Sequence, residues 1–114
     1  MNGSILEYEK KMWQLVEVSR EHMPELTKAN HEMKQSAYGE GSLDGKTKRL
    51  MALAIGVQAG CRDCMLTQAK NALELGATPD EIIETCSVAI SMGGTLAWSK
   101  TLVVVDYLRE KELI

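Results

Sequence analysis

Hydrophobic residues recur at three- and four-residue intervals along most of the chain, which is the spacing of one face of an α-helix. The first such segment begins after Ser4, where Glu7 completes a capping box, and extends to about Arg20. A second begins at Pro24 and ends before the glycine-rich stretch 38–45. Both segments are predicted to form amphipathic helices, paired as a hairpin. Their apolar faces consist of Ile5, Tyr8, Met12, Leu15 and Val16 in the first and Leu26, Ala29, Met33 and Ala37 in the second.

The segment that starts at Lys46 is apolar on nearly every face between Leu50 and Val57. This pattern is typical of a helix at the centre of a domain or beneath a partner subunit. A fourth helix is expected to begin at or just after Cys61. It should end near Gly76, because glycine suits the left-handed position beyond a helix C-terminus.

Residues 78–81, with the sequence TPDE, combine an N-cap threonine, a proline at the first helical position and a glutamate at the capping-box position. The fifth helix that starts here is expected to be interrupted at Gly93 and Gly94, and a sixth to run over residues 96–111. The sequence therefore predicts an all-α protein of about six helices, in a single domain that covers residues 1–114.

The composition agrees with a helical globule and disfavours several kinds of partner. Of the 114 residues, 45% are hydrophobic and none is phenylalanine, and this length fits one domain with one core. The formal net charge is −3, and no run of lysine or arginine supplies the positive patch that nucleic acids need. We find neither a secretory signal nor a stretch of 18 uncharged apolar residues, so the sequence predicts a cytoplasmic protein outside the membrane.

The candidate chemistry lies in Cys61 and Cys64, three residues apart at the predicted start of the fourth helix. At this spacing two cysteines are close enough for a disulfide, and the helix N-terminus favours a thiolate over a thiol. In a reducing cytosol such a pair is most often catalytic, redox-sensing or metal-binding. A permanent structural pair is one alternative. A zinc site is another, but it requires four ligands and the chain has no second cysteine pair.

The segments LDGKTKRLMALAIGVQAGCRDC, ALELGATPDEIIE and AISMGGTLAWS, within residues 43–99, resemble the AhpD-like alkylhydroperoxidase and carboxymuconolactone decarboxylase family. The resemblance implies an all-helical subunit that assembles into trimers or hexamers. We expect no cofactor and no metal. Its AhpD branch implies a thiol-dependent peroxidase that acts on a small-molecule peroxide. A dithiol reductant, such as a lipoyl or thioredoxin-type protein, is then expected to regenerate the enzyme.

The AhpD branch is marked by a glutamate twelve residues before the first cysteine, the C-x-x-C pair, and a histidine four residues after the second cysteine. Cys61 and Cys64 match this motif, whereas Arg49 stands at the glutamate position and Gln68 at the histidine position. Arg49 could favour a thiolate by its charge, and Gln68 can hydrogen-bond to a sulfur or a substrate. Neither side chain can take up and release a proton near pH 7, as an acid–base catalyst must. Both could also be ordinary polar residues on exposed helix faces. The candidate catalytic set is Cys61, Cys64, Gln68 and Arg49.

The remaining reactive side chains have simpler interpretations. Cys86 lies among small and apolar residues and is predicted to be a buried core thiol, and His22 and His31 are predicted to lie at the surface. Two functions therefore stay open. One is a thiol-dependent oxidoreductase that reduces a peroxide or exchanges disulfides, and the other is a non-peroxidase family member whose cysteine pair is redox-sensing or inert.

Overall fold

The computed structural model describes residues 3–114, and that part of the chain forms five α-helices and no strand. This confirms the predicted all-α class. In the last helix Gly94 has φ 63° and ψ −143°, so the predicted fifth and sixth helices are the two halves of one kinked helix. The helices are α1 (Ile5–His22), α2 (Pro24–Tyr38), α3 (Gly45–Ala59), α4 (Arg62–Glu74) and α5 (Pro79–Glu110).

Two helices begin at the capping boxes that the sequence predicts. The Glu7 N–H donates to Ser4 Oγ over 3.0 Å, and the Glu81 N–H donates to Thr78 Oγ1 over 3.1 Å. Each glutamate side chain in turn accepts the N–H of its own N-cap residue. An N-cap of this kind stabilises a helix by about 1 kcal/mol, which explains why both starts are readable from local sequence.

Helices α3, α4 and α5 pack against one another around a shared hydrophobic core. Leu53 and Val57 of α3 are buried there, as predicted for the central helix. On the opposite side of α3, however, Met51 is 48% and Ile55 is 68% exposed. Of the two settings predicted for this helix, the centre of the domain accounts for one side of α3 only, because α4 and α5 do not cover its whole circumference. Burial of the other side beneath a partner subunit stays a prediction.

Helices α1 and α2 form the predicted hairpin, but their contribution to the core differs. In α1, Ile5 and Met12 are buried, and the Ile5 N–H donates to Glu110 Oε2 over 2.7 Å, which ties the start of α1 to the end of α5. In α2 no residue is buried, and Leu26 and Met33 of its apolar face are each at least 60% exposed. The amphipathic pattern thus predicts helix α2 correctly, but the apolar face of α2 has no partner surface within this subunit.

Helix α5 is long and apolar enough to cross a membrane by length and composition alone, with a mean hydropathy of 1.4 over its most apolar window. Helices at the core of other helical globules pass the same criterion. Here Ile82, Cys86 and Val104 of α5 are buried in the core with α3 and α4, and the break at Gly94 interrupts the helix. One face of α5 therefore belongs to the core, although only 22% of its most apolar window is buried within the subunit.

Candidate redox site at the start of helix α4

The two cysteines are joined by a disulfide at the first turn of α4. Their Cα atoms are 5.2 Å apart, within the range that a disulfide requires. Cys61 is the N-cap residue of the helix, and its Sγ accepts the backbone N–H of Cys64 over 3.2 Å. Cys61 is half-buried and Cys64 is exposed. Cys61 thus accepts a hydrogen bond at the helix terminus, and Cys64 is the more exposed residue of the pair.

The chain between α3 and α4 brings this turn close to the core. Helix α3 ends at Gly60, which adopts the left-handed conformation with φ 70°, and the Cys61 N–H then donates to the Gly56 carbonyl over 3.0 Å. A Cβ atom on Gly56 would lie only 3.2 Å from the Cys64 Cβ. Glycine at position 56 therefore permits the close approach of α3 and α4 that holds the cysteine pair.

The two residues between the cysteines contact α1, which sequence reasoning did not foresee. Tyr8 donates its hydroxyl hydrogen to Asp63 Oδ1, and the Arg62 guanidinium carbon lies 3.8 Å from the centroid of the Tyr8 ring. A groove of about 530 Å³ runs from this contact along α1, with Met12 and Leu15 among its apolar walls. Tyr8 was predicted only as a member of the apolar face of α1, since no local signal connects it to residues 55 positions away.

Arg49 and Gln68, the two departures from the family motif, meet each other. Arg49 Nη1 donates to Gln68 Oε1 over 3.1 Å, and the guanidinium carbon lies 3.6 Å above the ring of Tyr38. Both side chains are half-buried, so the alternative of two independent exposed residues is wrong. Gln68 lies four residues beyond Cys64 on α4 and therefore one turn away on the same face.

The other reactive side chains lie as predicted. Cys86 is completely buried in the core, and this burial raises the pKa of its thiol, an effect that a hydrogen bond with Thr101 partly opposes. His22 and His31 are exposed. Within residues 3–114 no three histidine, cysteine, aspartate or glutamate side chains are grouped as a metal would need.

Comparison with known proteins places this arrangement in a family. The model of the carboxymuconolactone decarboxylase family matches residues 24–106. An uncharacterized protein of Cupriavidus necator is 38% identical over 77 residues, which is 65% of this chain and 68% of that protein. An uncharacterized protein encoded in the cox locus of Paracoccus denitrificans is 35% identical over 72 residues, which is 60% of this chain and 65% of that protein.

Solved structures show the same subunit fold. A carboxymuconolactone decarboxylase family protein from Legionella pneumophila, in its apo form, superimposes with a TM-score of 0.86 and 29% identity, over 93% of this chain and 95% of that one. A second member of that family, from Thermotoga maritima, has a TM-score of 0.69 and 30% identity, over 75% of this chain and 89% of the other. A role in the antioxidative response has been suggested for the Thermotoga protein.

Proposed function

Since the chain belongs to the carboxymuconolactone decarboxylase family, we propose that it is a thiol-dependent oxidoreductase of the AhpD-like type. Its working group is the Cys61–Cys64 pair, which alternates between dithiol and disulfide. The observation that carries the proposal is the disulfide at the start of α4, with one sulfur on the helix N-terminus and the other exposed. A buried, permanent staple would not need an exposed sulfur.

The unequal exposure of the two cysteine residues supports different roles for them in disulfide exchange. A thiolate of the reductant attacks the exposed Cys64 Sγ, the sulfur–sulfur bond breaks, and Cys61 leaves as a thiolate. The Cys64 N–H and the positive end of the α4 dipole stabilise that leaving group. The second thiolate of the reductant then attacks its own sulfur in the mixed disulfide. This step releases Cys64 as a thiolate and closes the reductant into a cyclic disulfide.

Oxidation restores the protein disulfide. With an alkyl hydroperoxide, the Cys64 thiolate attacks the terminal peroxide oxygen, which yields a sulfenic acid on Cys64 and an alcohol after the alkoxide takes a proton. The Cys61 thiolate then attacks Cys64 Sγ and expels hydroxide, which is protonated to water. With a small disulfide as the oxidant, the two protein thiolates replace its two sulfurs in turn and no oxygen transfer takes place.

The contact between Arg49 and Gln68 favours disulfide exchange over peroxide reduction. Proton delivery to the departing alkoxide is the step that general acid catalysis accelerates, by about 10² to 10⁴ in typical enzymes. An arginine bonded to an amide delivers no proton near pH 7, because guanidinium keeps its protons and the amide does not titrate. We therefore propose efficient exchange with disulfides and slow reduction of alkyl hydroperoxides. A redox-sensing role for the pair is the second candidate, favoured by the same contact.

The partners in this proposal follow from the chemistry. A dithiol such as a lipoyl or thioredoxin-type protein supplies the electrons, and a small disulfide or a peroxide accepts them. A cytoplasmic location and an assembly of identical subunits remain predictions. The groove that leads along α1 from Tyr8 offers apolar walls for the chain of such a reactant and a polar end at Asp63, the residue before Cys64 in the sequence.

The test measures consumption of dihydrolipoamide by the purified protein, with either oxidised glutathione or an alkyl hydroperoxide as the acceptor. We expect faster turnover with the disulfide, and loss of both activities in the double variant that combines Cys61→Ser with Cys64→Ser. Cys86→Ala removes the third cysteine and should retain the rate of the wild type. Dithiol consumption that stays above the protein-free rate when both Cys61 and Cys64 are replaced by serine would refute the proposal.

The two single variants also test the assigned roles. Cys61→Ser leaves the exposed Cys64 and should form a mixed disulfide with oxidised glutathione rapidly. Cys64→Ser leaves the half-buried Cys61 and should react more slowly. The reverse order, observed by mass spectrometry over time, would exchange the roles of the two cysteines without changing the class of reaction.

A further inference from the structure

A single side chain of α1 binds both residues that separate the cysteines. Tyr8 donates a hydrogen bond to the Asp63 carboxylate through its hydroxyl and carries the Arg62 guanidinium on its ring, 3.8 Å from the centroid. These are the only two positions between Cys61 and Cys64. The charged neighbours of the disulfide are thus oriented by Tyr8 rather than by solvent.

Tyr8 is itself held in place by the core. Ile5, three residues before it, is 2% exposed and bonds to Glu110, and Met12, four residues after it, is 8% exposed. Both lie on the same face of α1 as Tyr8, one turn to either side. Although the rest of the hairpin is largely exposed, this part of α1 is a rigid support for the start of α4.

The Asp63 carboxylate matters for the sulfur chemistry because it repels a second negative charge. It lies two residues after Cys61 and directly before Cys64, and reduction of the disulfide creates a thiolate at this turn. A hydrogen bond from a phenol disperses part of the carboxylate charge and directs it toward α1. The repulsion that the reduced pair experiences is therefore smaller with Tyr8 than without it.

Positive groups also lie near this turn. Lys11 of α1 lines the same groove as Asp63, and the Lys100 Cε of α5 lies 3.4 Å from the position that a Cβ on Gly60 would occupy. A positive charge near this turn favours thiolates over a disulfide. The contribution of the two lysines is independent of the Tyr8 hydroxyl, so a substitution that removes only this hydroxyl isolates the effect of the Asp63 contact.

We propose that Tyr8 is a positioning residue of the redox site, which holds Asp63 and Arg62 so that the Cys61–Cys64 disulfide is easier to reduce. The inference rests on the proposed redox function of the pair and adds to it a residue that determines its reduction potential. Tyr8 precedes residues 24–106, the part of the chain that the family model matches. The control of the potential is thus assigned to the N-terminal helix.

The experiment equilibrates the protein with mixtures of reduced and oxidised dithiothreitol, in which two electrons and two protons pass from the reagent to Cys61 and Cys64. Tyr8→Phe keeps the ring beneath Arg62 and removes only the hydroxyl. We expect this variant to lower the equilibrium constant for reduction by about tenfold, equivalent to about 30 mV for a two-electron couple. Asp63→Asn should raise the constant, because it removes the repelling charge.

The double variant decides between positioning and a general structural effect. If Tyr8 acts through the Asp63 charge, Tyr8→Phe should have no effect when combined with Asp63→Asn. Tyr38→Phe is the matched control, since Tyr38 also lies beneath a stacked arginine, and its constant should stay within about twofold of the wild type. Thermal unfolding of each variant checks that the fold is intact.

Two results would overturn the inference while leaving the proposed function in place. The first is an equilibrium constant that Tyr8→Phe leaves unchanged. The second is a change in that constant on Tyr8→Phe that is equally large in the presence and in the absence of Asp63→Asn. A wild-type pair that is not reduced reversibly by dithiothreitol is a different result. It would overturn the proposed function, and this inference with it.

Discussion

Arg49 and Gln68, 19 positions apart in the chain, are joined by a hydrogen bond of 3.1 Å between Nη1 and Oε1. These are the two positions where the AhpD branch carries a glutamate and a histidine. The structure therefore brings these two positions together in this chain, with side chains of different chemistry from those of the motif. A pair that could exchange a proton is replaced by a pair that holds a fixed positive charge.

This relationship predicts the effect of restoring the two titratable groups. Arg49→Glu combined with Gln68→His should raise the turnover of an alkyl hydroperoxide by about 10² or more, because general acid–base assistance is typically worth that much. Peroxide consumption coupled to dihydrolipoamide oxidation measures the gain. Exchange with oxidised glutathione should change much less, since it has no alkoxide to protonate.

Each single substitution is the control for the pair. Arg49→Glu alone and Gln68→His alone should give smaller gains than the double variant, because the proton must pass between the two groups. A double variant with an intact fold and no gain would mean that another residue of the protein carries the proton. A wild type as fast as relatives with the glutamate and histidine would lead to the same conclusion.

Mild oxidation should join Cys61 to Cys64 and leave Cys86 free. The first two are bonded at the surface of α4, whereas Cys86 is completely buried and its pKa is raised by burial, so little of it is thiolate. Peptide mass spectrometry after peroxide treatment should show the loss of two hydrogens in the peptide that contains both residues, reversed by dithiothreitol. Cys86 as the main disulfide partner would contradict the assignment.

We further predict that the protein is a trimer or a trimer-based hexamer in solution. The number of subunits comes from the family resemblance, and the need for a partner comes from large apolar side chains that the subunit leaves open. Light scattering at micromolar concentration measures the mass, and a monomer would contradict the prediction. On α3 and α5 the exposed apolar residues are Met51, Ile55, Val88, Met92, Leu96, Trp98 and Leu102.

A substitution on this surface should dissociate the assembly without unfolding the subunit. Met92 is 85% exposed, so Met92→Lys removes no contact within the subunit but places a charge where copies are expected to meet. Leu113→Lys, at the exposed C-terminus of the chain, is the control and should keep the mass of the wild type.

Acid should destabilise the fold through the cap of α5. The Thr78 backbone N–H, followed by the Lys46 ammonium, lowers the pKa of Glu81 below its usual 4.5. Because the folded pKa is depressed, the unfolded chain binds more protons at low pH. The stabilisation by Glu81 is complete above about pH 4.5 and is lost as the pH falls through the folded pKa.

Melting temperatures measured at several pH values test this prediction. Glu81→Gln, which has no carboxylate to protonate, should lose less stability between pH 5 and acid than the wild type does. Glu84→Gln on the same helix removes one carboxylate without touching either cap and is the charge-matched control. If Glu81→Gln leaves the acid dependence of the melting temperature unaltered, that dependence is due to other groups. Asp44 is one of them, since the Thr47 N–H lowers its pKa.

Local sequence was sufficient to predict the helices and the disulfide pair. The capping boxes, Pro24, Pro79 and the C-x-x-C spacing involve residues no more than four positions apart, and such short-range interactions form in the same way in almost any fold. The break in α5 was also readable, because the conformation of Gly94 is one that glycine adopts without strain. These features needed no knowledge of how the helices pack.

Tertiary packing decided which of these helices meet and on which faces. The apolar face of α2 and one side of α3 are exposed, although their apolar residues predict burial. An apolar pattern identifies a face that needs covering and not the partner that covers it. Tyr8 reaches Asp63 and Arg49 reaches Gln68 across intervals of 55 and 19 residues. Contacts at that separation depend on the arrangement of whole helices. The family motif placed Arg49 and Gln68 in one candidate set without giving their contact, and no local pattern linked Tyr8 to Asp63.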